Sequence, residues 1–146
     1  MDEREIFSIK KLYDQLQHVP NQDVVDIKPT ERTPRVVLNK YDGSIKFSGR
    51  SMPDNARTFY QPIIEWIEDY KKTPAQKTTL TFNLEYFNSS SSKMFLQIIN
   101  TLKPLESKDG GLSIRWYYIE DDEEIFDSGK IFEEVSELKF DFECYQ

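Results

Sequence analysis

Residues 78–102 change their hydrophobic period at a run of four serines, and this change constrains the fold more than any other stretch. Upstream, apolar residues alternate with polar ones, which predicts a strand with one buried face over 78–87. Downstream, apolar residues recur every three or four positions, which predicts an amphipathic helix over 94–102. A strand that leads into a helix is the repeating unit of α/β domains. The apolar positions are Leu80, Phe82, Leu84, Tyr86, Met94, Phe95, Ile98, Ile99 and Leu102.

The junction between the two patterns places one amide and four hydroxyl side chains at the start of the predicted helix. Asn88 or any of the serines can cap the helix, because the first backbone N–H groups of a helix have no partner within it. The same groups and the helix dipole also favour a phosphate at this position. The local sequence therefore leaves two interpretations open, an ordinary N-cap and a regulatory phosphoacceptor.

The first half of the chain predicts a helix, a β-hairpin and a second helix. Asp42-Gly43 between two extended segments favours a hairpin, because glycine readily adopts the positive φ of a tight turn. Asp54 or Asn55 is expected to cap the second helix, and Pro62 inside it predicts a kink or a new start near Gln61. The predicted ranges are 3–17 for the first helix, 35–39 and 44–48 for the hairpin strands, and about 55–70 for the second helix.

The second half predicts a turn at Asp109-Gly110-Gly111, a strand over 112–118, a helix over 122–135 and a short closing strand from Phe140 to Cys144. The inward side chains of this last helix are expected to be Ile125, Ile131, Phe132 and Val135. Strands that alternate with helices imply right-handed crossovers between parallel strands. We therefore expect one α/β domain with a mixed, mainly parallel central sheet, an N-terminal hairpin and helices chiefly on one face.

Composition excludes several classes of function. The 146 residues include 19 basic and 26 acidic ones, for a net charge of −7, and no basic cluster is present, which argues against nucleic-acid binding. A chain of this length without a long apolar segment or a signal-peptide pattern is expected to be a single cytoplasmic domain without a membrane span. The single cysteine, Cys144, gives neither a disulfide framework nor a zinc motif.

No motif for catalysis, a metal or a cofactor is evident. The sequence lacks the glycine-rich phosphate loops of nucleotide-binding enzymes. His18 and Cys144 lie at opposite ends of the sequence and form no motif for nucleophilic catalysis. The acidic run Asp121-Asp122-Glu123-Glu124 is better explained as the solvated start of a helix than as a metal site, since consecutive side chains point in different directions. We therefore expect no catalytic residues, no metal and no cofactor.

Several stretches together resemble the SiaC family of bacterial regulatory phosphoproteins, small domains with a fold similar to STAS domains. The resemblance covers residues 27–143 and leaves residues 1–26 as an N-terminal amphipathic extension to a domain over 27–146. The matching stretches are Thr30-Glu31-Arg32-Thr33-Pro34, Gly49-Arg50-Ser51-Met52-Pro53-Asp54-Asn55, Phe59-Tyr60-Gln61-Pro62-Ile63 with Trp66 and Tyr70, Tyr86-Phe87-Asn88-Ser89-Ser90-Ser91-Ser92-Lys93, and Arg115-Trp116-Tyr117-Tyr118 with Asp121-Asp122-Glu123 and Gly129.

The resemblance implies a partner-switching protein in signal transduction rather than an enzyme. Family members are phosphorylated by a cognate protein kinase and dephosphorylated by a metal-dependent Ser/Thr phosphatase. The unmodified form can activate a diguanylate cyclase, which raises cyclic di-GMP and favours biofilm growth. The alternatives are a constitutive protein-interaction module without phosphorylation and, less favoured, a small enzyme. The output enzyme of this member, its upstream signal and its oligomeric state do not follow from the resemblance.

The resemblance also implies the site. The family's acceptor is the Ser or Thr directly after the motif asparagine, which is Ser89 here, with Ser90 and Ser91 as alternatives. Because strand-to-helix loops gather at the carboxyl ends of parallel strands, the loop at 50–53 is expected beside the acceptor. The residues expected to face the phosphate or the partner are Arg50, Ser51, Met52, Tyr86, Asn88 and Ser90.

Overall fold

A computed structural model describes residues 2–106 and 110–146. The expected turn at Asp109-Gly110-Gly111 begins outside the described residues. Two 3-10 turns, Val19–Asn21 and Lys103–Leu105, follow the first and third helices, respectively. The elements in chain order are α1 (Glu3–His18), β1 (Val24–Ile27), β2 (Arg35–Asn39), β3 (Ser44–Ser51), α2 (Ala56–Tyr70), β4 (Thr78–Phe87), α3 (Ser89–Leu102), β5 (Leu112–Ile119), α4 (Glu123–Ser136) and β6 (Phe140–Tyr145).

The six strands form one sheet in which their spatial order is their order in the chain. β1, β2 and β3 pair antiparallel, whereas β3, β4, β5 and β6 pair parallel. The predicted mixed, mainly parallel sheet is confirmed. The hairpin of β2 and β3 is also confirmed, and its Gly43 has a φ of +75°. A Cβ at Gly43 would overlap the carbonyl oxygen of Lys77, so this turn requires glycine for both its conformation and its space.

The core lies between one face of the sheet and the helices. Strand side chains alternate between buried and exposed, as in β4, where Leu80, Phe82 and Leu84 are buried. Sequential parallel strands joined by right-handed crossovers place their connecting helices on the same face. α2 contacts α3, and α3 contacts α4, while α1 packs on α2. The expectation of helices chiefly on one face is therefore confirmed.

The helix α2 is continuous, so the new start expected near Gln61 was wrong, and a kink there stays a prediction. Pro62 removes one backbone hydrogen bond of the helix. Tyr60, two residues before the proline, and Ile63, directly after it, are fully buried in the core. Packing of the apolar face thus holds the helix together across the proline.

The inward face of α4 differs from the prediction. Ile125 and Phe132 are buried as expected, but Ile131 and Val135 are each 58% exposed, so their expected inward orientation was wrong. Gly129 explains the difference, because a Cβ there would come within 2.6 Å of the indole nitrogen of Trp116. α4 approaches β5 along its smallest residue, and the inward face follows Ile125, Gly129, Phe132 and Ser136.

The strand β1 did not appear among the predicted elements. It spans four residues and pairs with β2 at the edge of the sheet, across the expected boundary between the extension and the domain. Its Val25 and Ile27 are buried. The edge strand thereby joins the segment that follows α1 to the main sheet.

Candidate functional site

The junction between β4 and α3 is built around Asn88. Its extended backbone ends the strand, and its side-chain oxygen accepts a hydrogen bond of 2.9 Å from the backbone N–H of Ser91. α3 therefore begins at Ser89, directly after the first of the cap positions that the sequence allowed and five residues before the apolar period that begins at Met94. Of the caps that the sequence left open, the structure selects Asn88, and the four serines form the first turn of the helix.

The four serines differ in accessibility. Ser89 and Ser90 are exposed, Ser92 is half-buried and Ser91 has no exposed surface. A protein kinase can reach only a hydroxyl at the surface. The fold therefore offers Ser89 and Ser90 to solvent and holds Ser91 in the interior.

The end of β3 lies directly beside this junction. Asn88 donates its backbone N–H to the carbonyl oxygen of Ser51 at 3.1 Å. A shift in register between β3 and β4 follows Gly49, after which Arg50 pairs with Tyr86 and Ser51 with Phe87. Arg50 and Ser51 thus lie close to the Asn88–Ser89 junction, as the arrangement of parallel strands predicts.

Arg50 and Tyr86 contact each other at the surface. The guanidinium carbon of Arg50 lies 5.8 Å from the centre of the Tyr86 ring, and the tyrosine is 46% exposed. This is the geometry of a cation–π contact, which is weak at an exposed site. An exposed aromatic ring and an exposed cation beside the exposed Ser89 form a surface of the kind that binds proteins.

Ser51 lies on the opposite side of β3 and faces the interior. Its hydroxyl oxygen is 2.5 Å from the Tyr60 hydroxyl and 2.8 Å from that of Ser91. Ser91 also donates to the Ser51 carbonyl oxygen at 3.0 Å. Burial raises the pKa of Tyr60 well above its usual value, so this phenol stays protonated. Neither the burial of Ser51 nor the part played by Tyr60 is visible in the hydrophobic pattern of the sequence.

Met52 is half-buried next to this cluster and is held by the loop before β2. Its backbone N–H donates to the carbonyl oxygen of Arg32 at 2.8 Å. The Arg32 side chain forms an ion pair of 3.1 Å with Asp54. The stretches 30–34 and 49–55, which are separated in sequence by the hairpin, are therefore adjacent at the carboxyl end of β3, on the same side of the molecule as the start of α3.

The remaining candidates from the sequence lie elsewhere. His18 ends α1 and is exposed, and Cys144 is exposed on β6. Asp122 caps α4 by accepting from the backbone N–H of Ile125 at 3.1 Å. Within residues 2–106 and 110–146, no group of three or more His, Cys, Asp or Glu side chains is arranged to hold a metal ion. In the same part of the chain, no helix is long and apolar enough to cross a membrane.

Known proteins are similar to this chain in sequence and in fold. A family model described as SiaC family regulatory phosphoprotein matches residues 27–145. An uncharacterised protein of Pseudomonas aeruginosa (strain UCBPP-PA14) is 26% identical over 121 residues, which cover 82% of this chain and 94% of that protein.

Two crystal structures from Pseudomonas aeruginosa are similar in fold. One contains the diguanylate cyclase SiaD in complex with its activator SiaC, and its matching chain has a TM-score of 0.76 and 24% identity over 83% of this chain and 99% of that one. The other is apo-SiaC, with a TM-score of 0.72 and 24% identity over 86% of this chain and all of that one. At this identity the similarity establishes a common fold.

Proposed function

Because the chain belongs to the SiaC family of regulatory phosphoproteins, we propose that it is a non-enzymatic switch protein whose phosphorylation at Ser89 controls binding to a signalling enzyme. The observation that carries the proposal is the position of Ser89 within the matched domain. Ser89 is exposed and directly follows the capping Asn88, at the carboxyl end of β4, where the loop after β3 also lies.

The modification is a phosphoryl transfer. The Ser89 hydroxyl oxygen attacks the terminal phosphorus of a nucleoside triphosphate held by a cognate protein kinase, and the bond from that phosphorus to the bridging oxygen breaks. The hydroxyl proton passes to a base on the kinase, and the nucleoside diphosphate leaves. A metal-dependent Ser/Thr phosphatase reverses the modification with water as the nucleophile.

The partner is an output enzyme, and a diguanylate cyclase is the favoured candidate. SiaC of Pseudomonas aeruginosa is the activator of the diguanylate cyclase SiaD in their complex, and this chain shares its fold. A protein of this kind would act in cyclic di-GMP control and biofilm growth, in the cytoplasm. The proposed contact surface consists of Arg50, Met52, Tyr86, Asn88 and Ser90 around the acceptor.

A phosphate on Ser89 would change this surface directly. It adds about −1.5 to −2 charges and three strong acceptor oxygens. Arg50 is the proposed partner of these oxygens, since it is an exposed cation on the neighbouring strand. An interface formed with the unmodified surface would then have to desolvate or repel the phosphate, which can weaken binding by several kcal/mol.

Phosphopeptide mapping of residues 84–103 tests the proposal. The protein is isolated from cells with and without the cognate phosphatase activity, and we expect phosphate on Ser89 that accumulates when the phosphatase is absent. Partner capture with Ser89→Ala, Ser89→Asp and the uncharged match Ser89→Asn then follows, and only the aspartate is expected to alter binding strongly. Absence of phosphate under every growth condition would contradict the proposal and favour a constitutive interaction module.

A further inference from the structure

Three hydroxyl groups beneath the candidate site form a buried chain. They belong to Ser51 at the end of β3, Tyr60 in α2 and Ser91 in the first turn of α3, and all three residues have no exposed surface. Hydroxyl groups are buried only where hydrogen bonds compensate for the loss of water. The three hydroxyl groups therefore join β3, α2 and α3 by hydrogen bonds that apolar side chains could not form.

The direction of each hydrogen bond follows from the number of protons. Ser91 has one hydroxyl proton and donates it to the Ser51 carbonyl oxygen at 3.0 Å. Ser51 must then donate to the Ser91 hydroxyl oxygen at 2.8 Å, and Tyr60 must donate to the Ser51 hydroxyl oxygen at 2.5 Å. Only this arrangement gives each of the three protons an acceptor within the cluster.

Together with the buried apolar face of α3, the three hydroxyl groups hold the first turn of this helix in one rotation about its axis. Successive residues of an α-helix are about 100° apart, so a residue two positions before Ser91 lies about 160° away from it. With Ser91 held inward, Ser89 points almost directly away from the core, and Ser90 and Ser92 lie on the flanks. The observed burial agrees, because Ser91 is buried, Ser92 is half-buried, and Ser89 and Ser90 are exposed.

The Ser51 carbonyl group also holds Asn88, the residue before Ser89. The Ser51 carbonyl oxygen accepts from both the Asn88 backbone N–H at 3.1 Å and the Ser91 hydroxyl. Asn88 in turn accepts from the Ser91 backbone N–H. Residues on both sides of Ser89 are thus attached to one point on β3.

We infer that the hydroxyl chain of Tyr60, Ser51 and Ser91 is a specificity device that selects Ser89 among four consecutive serines. This inference rests on the proposed function. A kinase cannot reach the Ser91 hydroxyl, because it is buried and makes two hydrogen bonds to Ser51. With Ser91 held in this way, Ser89 lies on the side of α3 that is farthest from the core. Ser51 and Ser91 are therefore positioning residues, and they do not take part in phosphoryl transfer.

The direction of the hydrogen bonds predicts unequal effects for three substitutions. Ser91→Ala removes the acceptor of the Ser51 proton, and Ser51→Ala removes the acceptor of the Tyr60 proton, so each leaves a buried donor without a partner. Tyr60→Phe removes only a donor and leaves Ser51 and Ser91 bonded to each other. Loss of the first two attachments should loosen the start of α3, whereas the third substitution should leave it in place.

The test is phosphopeptide mapping of the full chain, produced in its native host and isolated with phosphatases inhibited. In the wild type we expect phosphate on Ser89. In Ser91→Ala and Ser51→Ala we expect phosphorylation at Ser89 to fall about tenfold or more, since small misplacements of a reacting group have effects of this size. A shift of phosphate to Ser90 or Ser92 should accompany the loss. Tyr60→Phe should stay within about twofold of the wild type by the same reasoning.

Thr101→Ala is the matched control. It removes a hydroxyl from the other end of α3, where Thr101 donates to the Gln97 carbonyl oxygen at 2.8 Å, and it should leave the pattern of phosphorylation unchanged. Amide hydrogen exchange over residues 88–92 should be faster in Ser91→Ala than in Thr101→Ala. This second readout shows whether the variant has a folded core with a loosened helix start.

The outcomes separate the inference from the proposed function. Wild-type phosphate on Ser89 together with an unchanged pattern and rate in folded Ser91→Ala and Ser51→Ala would overturn the inference alone. Phosphate on Ser91 in the wild type would overturn it directly. A wild-type protein that acquires no phosphate would overturn the proposed function and the inference with it.

Discussion

At the scale of single residues, the environment of Glu133 is expected to make the free energy of unfolding depend on pH. Its carboxylate accepts from the Phe140 backbone N–H at 2.8 Å and thereby joins α4 to the start of β6. This hydrogen bond, followed by the neighbouring Lys130, lowers the pKa of Glu133 below its usual value of 4.5. The stabilisation is complete above pH 4.5 and is lost as the pH falls through the lowered pKa.

Glu133→Gln is therefore expected to reduce the free energy of unfolding at neutral pH by about 1 kcal/mol, the difference between a charged and a neutral acceptor. The deficit relative to the wild type should shrink as the pH falls to about 3.5, because protonation removes the wild type's advantage. Urea unfolding at both pH values measures this difference. The exposed neighbour provides the control Glu134→Gln, which should stay within about 0.5 kcal/mol. A deficit that does not depend on pH would contradict the account.

The residues of the candidate site were predictable to different degrees. The strand pattern and the serine run located the start of α3, because period and turn chemistry are local properties. The assignment of Ser89 as the acceptor rests on the family resemblance and stays a prediction. The choice of Asn88 as the cap and the burial of Ser91 were not predictable. Both depend on Ser51, which is 40 positions before Ser91 in the chain and reaches it only through the pairing of β3 with β4.

At the scale of elements, the two halves of α1 should differ in their contribution to stability. The C-terminal half packs on the domain, where Leu16 is 1% exposed, whereas Phe7 in the other half is 68% exposed. Leu16→Ala should destabilise the protein by about 2–5 kcal/mol through lost burial and a new cavity. Phe7→Ala should change stability by no more than about 0.5 kcal/mol, since it makes a surface change. Denaturant unfolding of the full chain compares the two variants.

Equal and small effects of both substitutions would show that α1 does not pack on the domain in solution. An amphipathic helix of this kind can either pack on its own domain or dock on a partner. Burial of Leu16, and of Val19 directly after the helix, supports packing for the C-terminal half. The exposed N-terminal half borders a groove of about 380 Å³ whose other wall includes Arg32 and Pro53. One helix can therefore have a packed half and a free half, which an apolar period alone does not distinguish.

The elements that sequence reasoning missed or misjudged share a physical cause. β1 has only four residues, too few for an alternating pattern to be recognised against the background. α4 has apolar residues on more than one side, and a glycine beside Trp116 determines which side faces the sheet. In both cases the tertiary contact decides, and the local pattern permits more than one answer.

At the scale of the whole molecule, the architecture was predictable because it follows from chirality and connection length. Each helix between β3 and β6 returns the chain to a neighbouring parallel strand, and the right-handed rule leaves one arrangement with all these helices on one face. The antiparallel strands β2 and β1 then extend the sheet beyond β3, on the side opposite to β6. The candidate site lies where the inner strands β3 and β4 end.

The continuous core between the sheet and the helices predicts that phosphorylation of Ser89 changes the surface and leaves the fold intact. A phosphate at the start of α3 gains about 0.3–1 kcal/mol from the helix dipole when exposed. Driving a two-state change almost to completion requires about 5.5 kcal/mol, so this local gain is too small to rearrange the domain. Repulsion or desolvation of the phosphate within an interface can reach several kcal/mol, which is enough to abolish binding.

Amide NMR spectra of phosphorylated and unmodified protein measure this prediction. Shift changes are expected around residues 50–53 and 86–92, and the free energy of unfolding should change by about 1 kcal/mol or less. Affinity for the output enzyme should change by about tenfold or more, since each 1.4 kcal/mol at the interface corresponds to a factor of ten. Shift changes that extend through β5 and β6, or a large change in stability, would show that the phosphate acts by rearranging the sheet. Because strands β3 to β6 share one continuous core with the helices, such a rearrangement would have to break packing far beyond the reach of one surface charge.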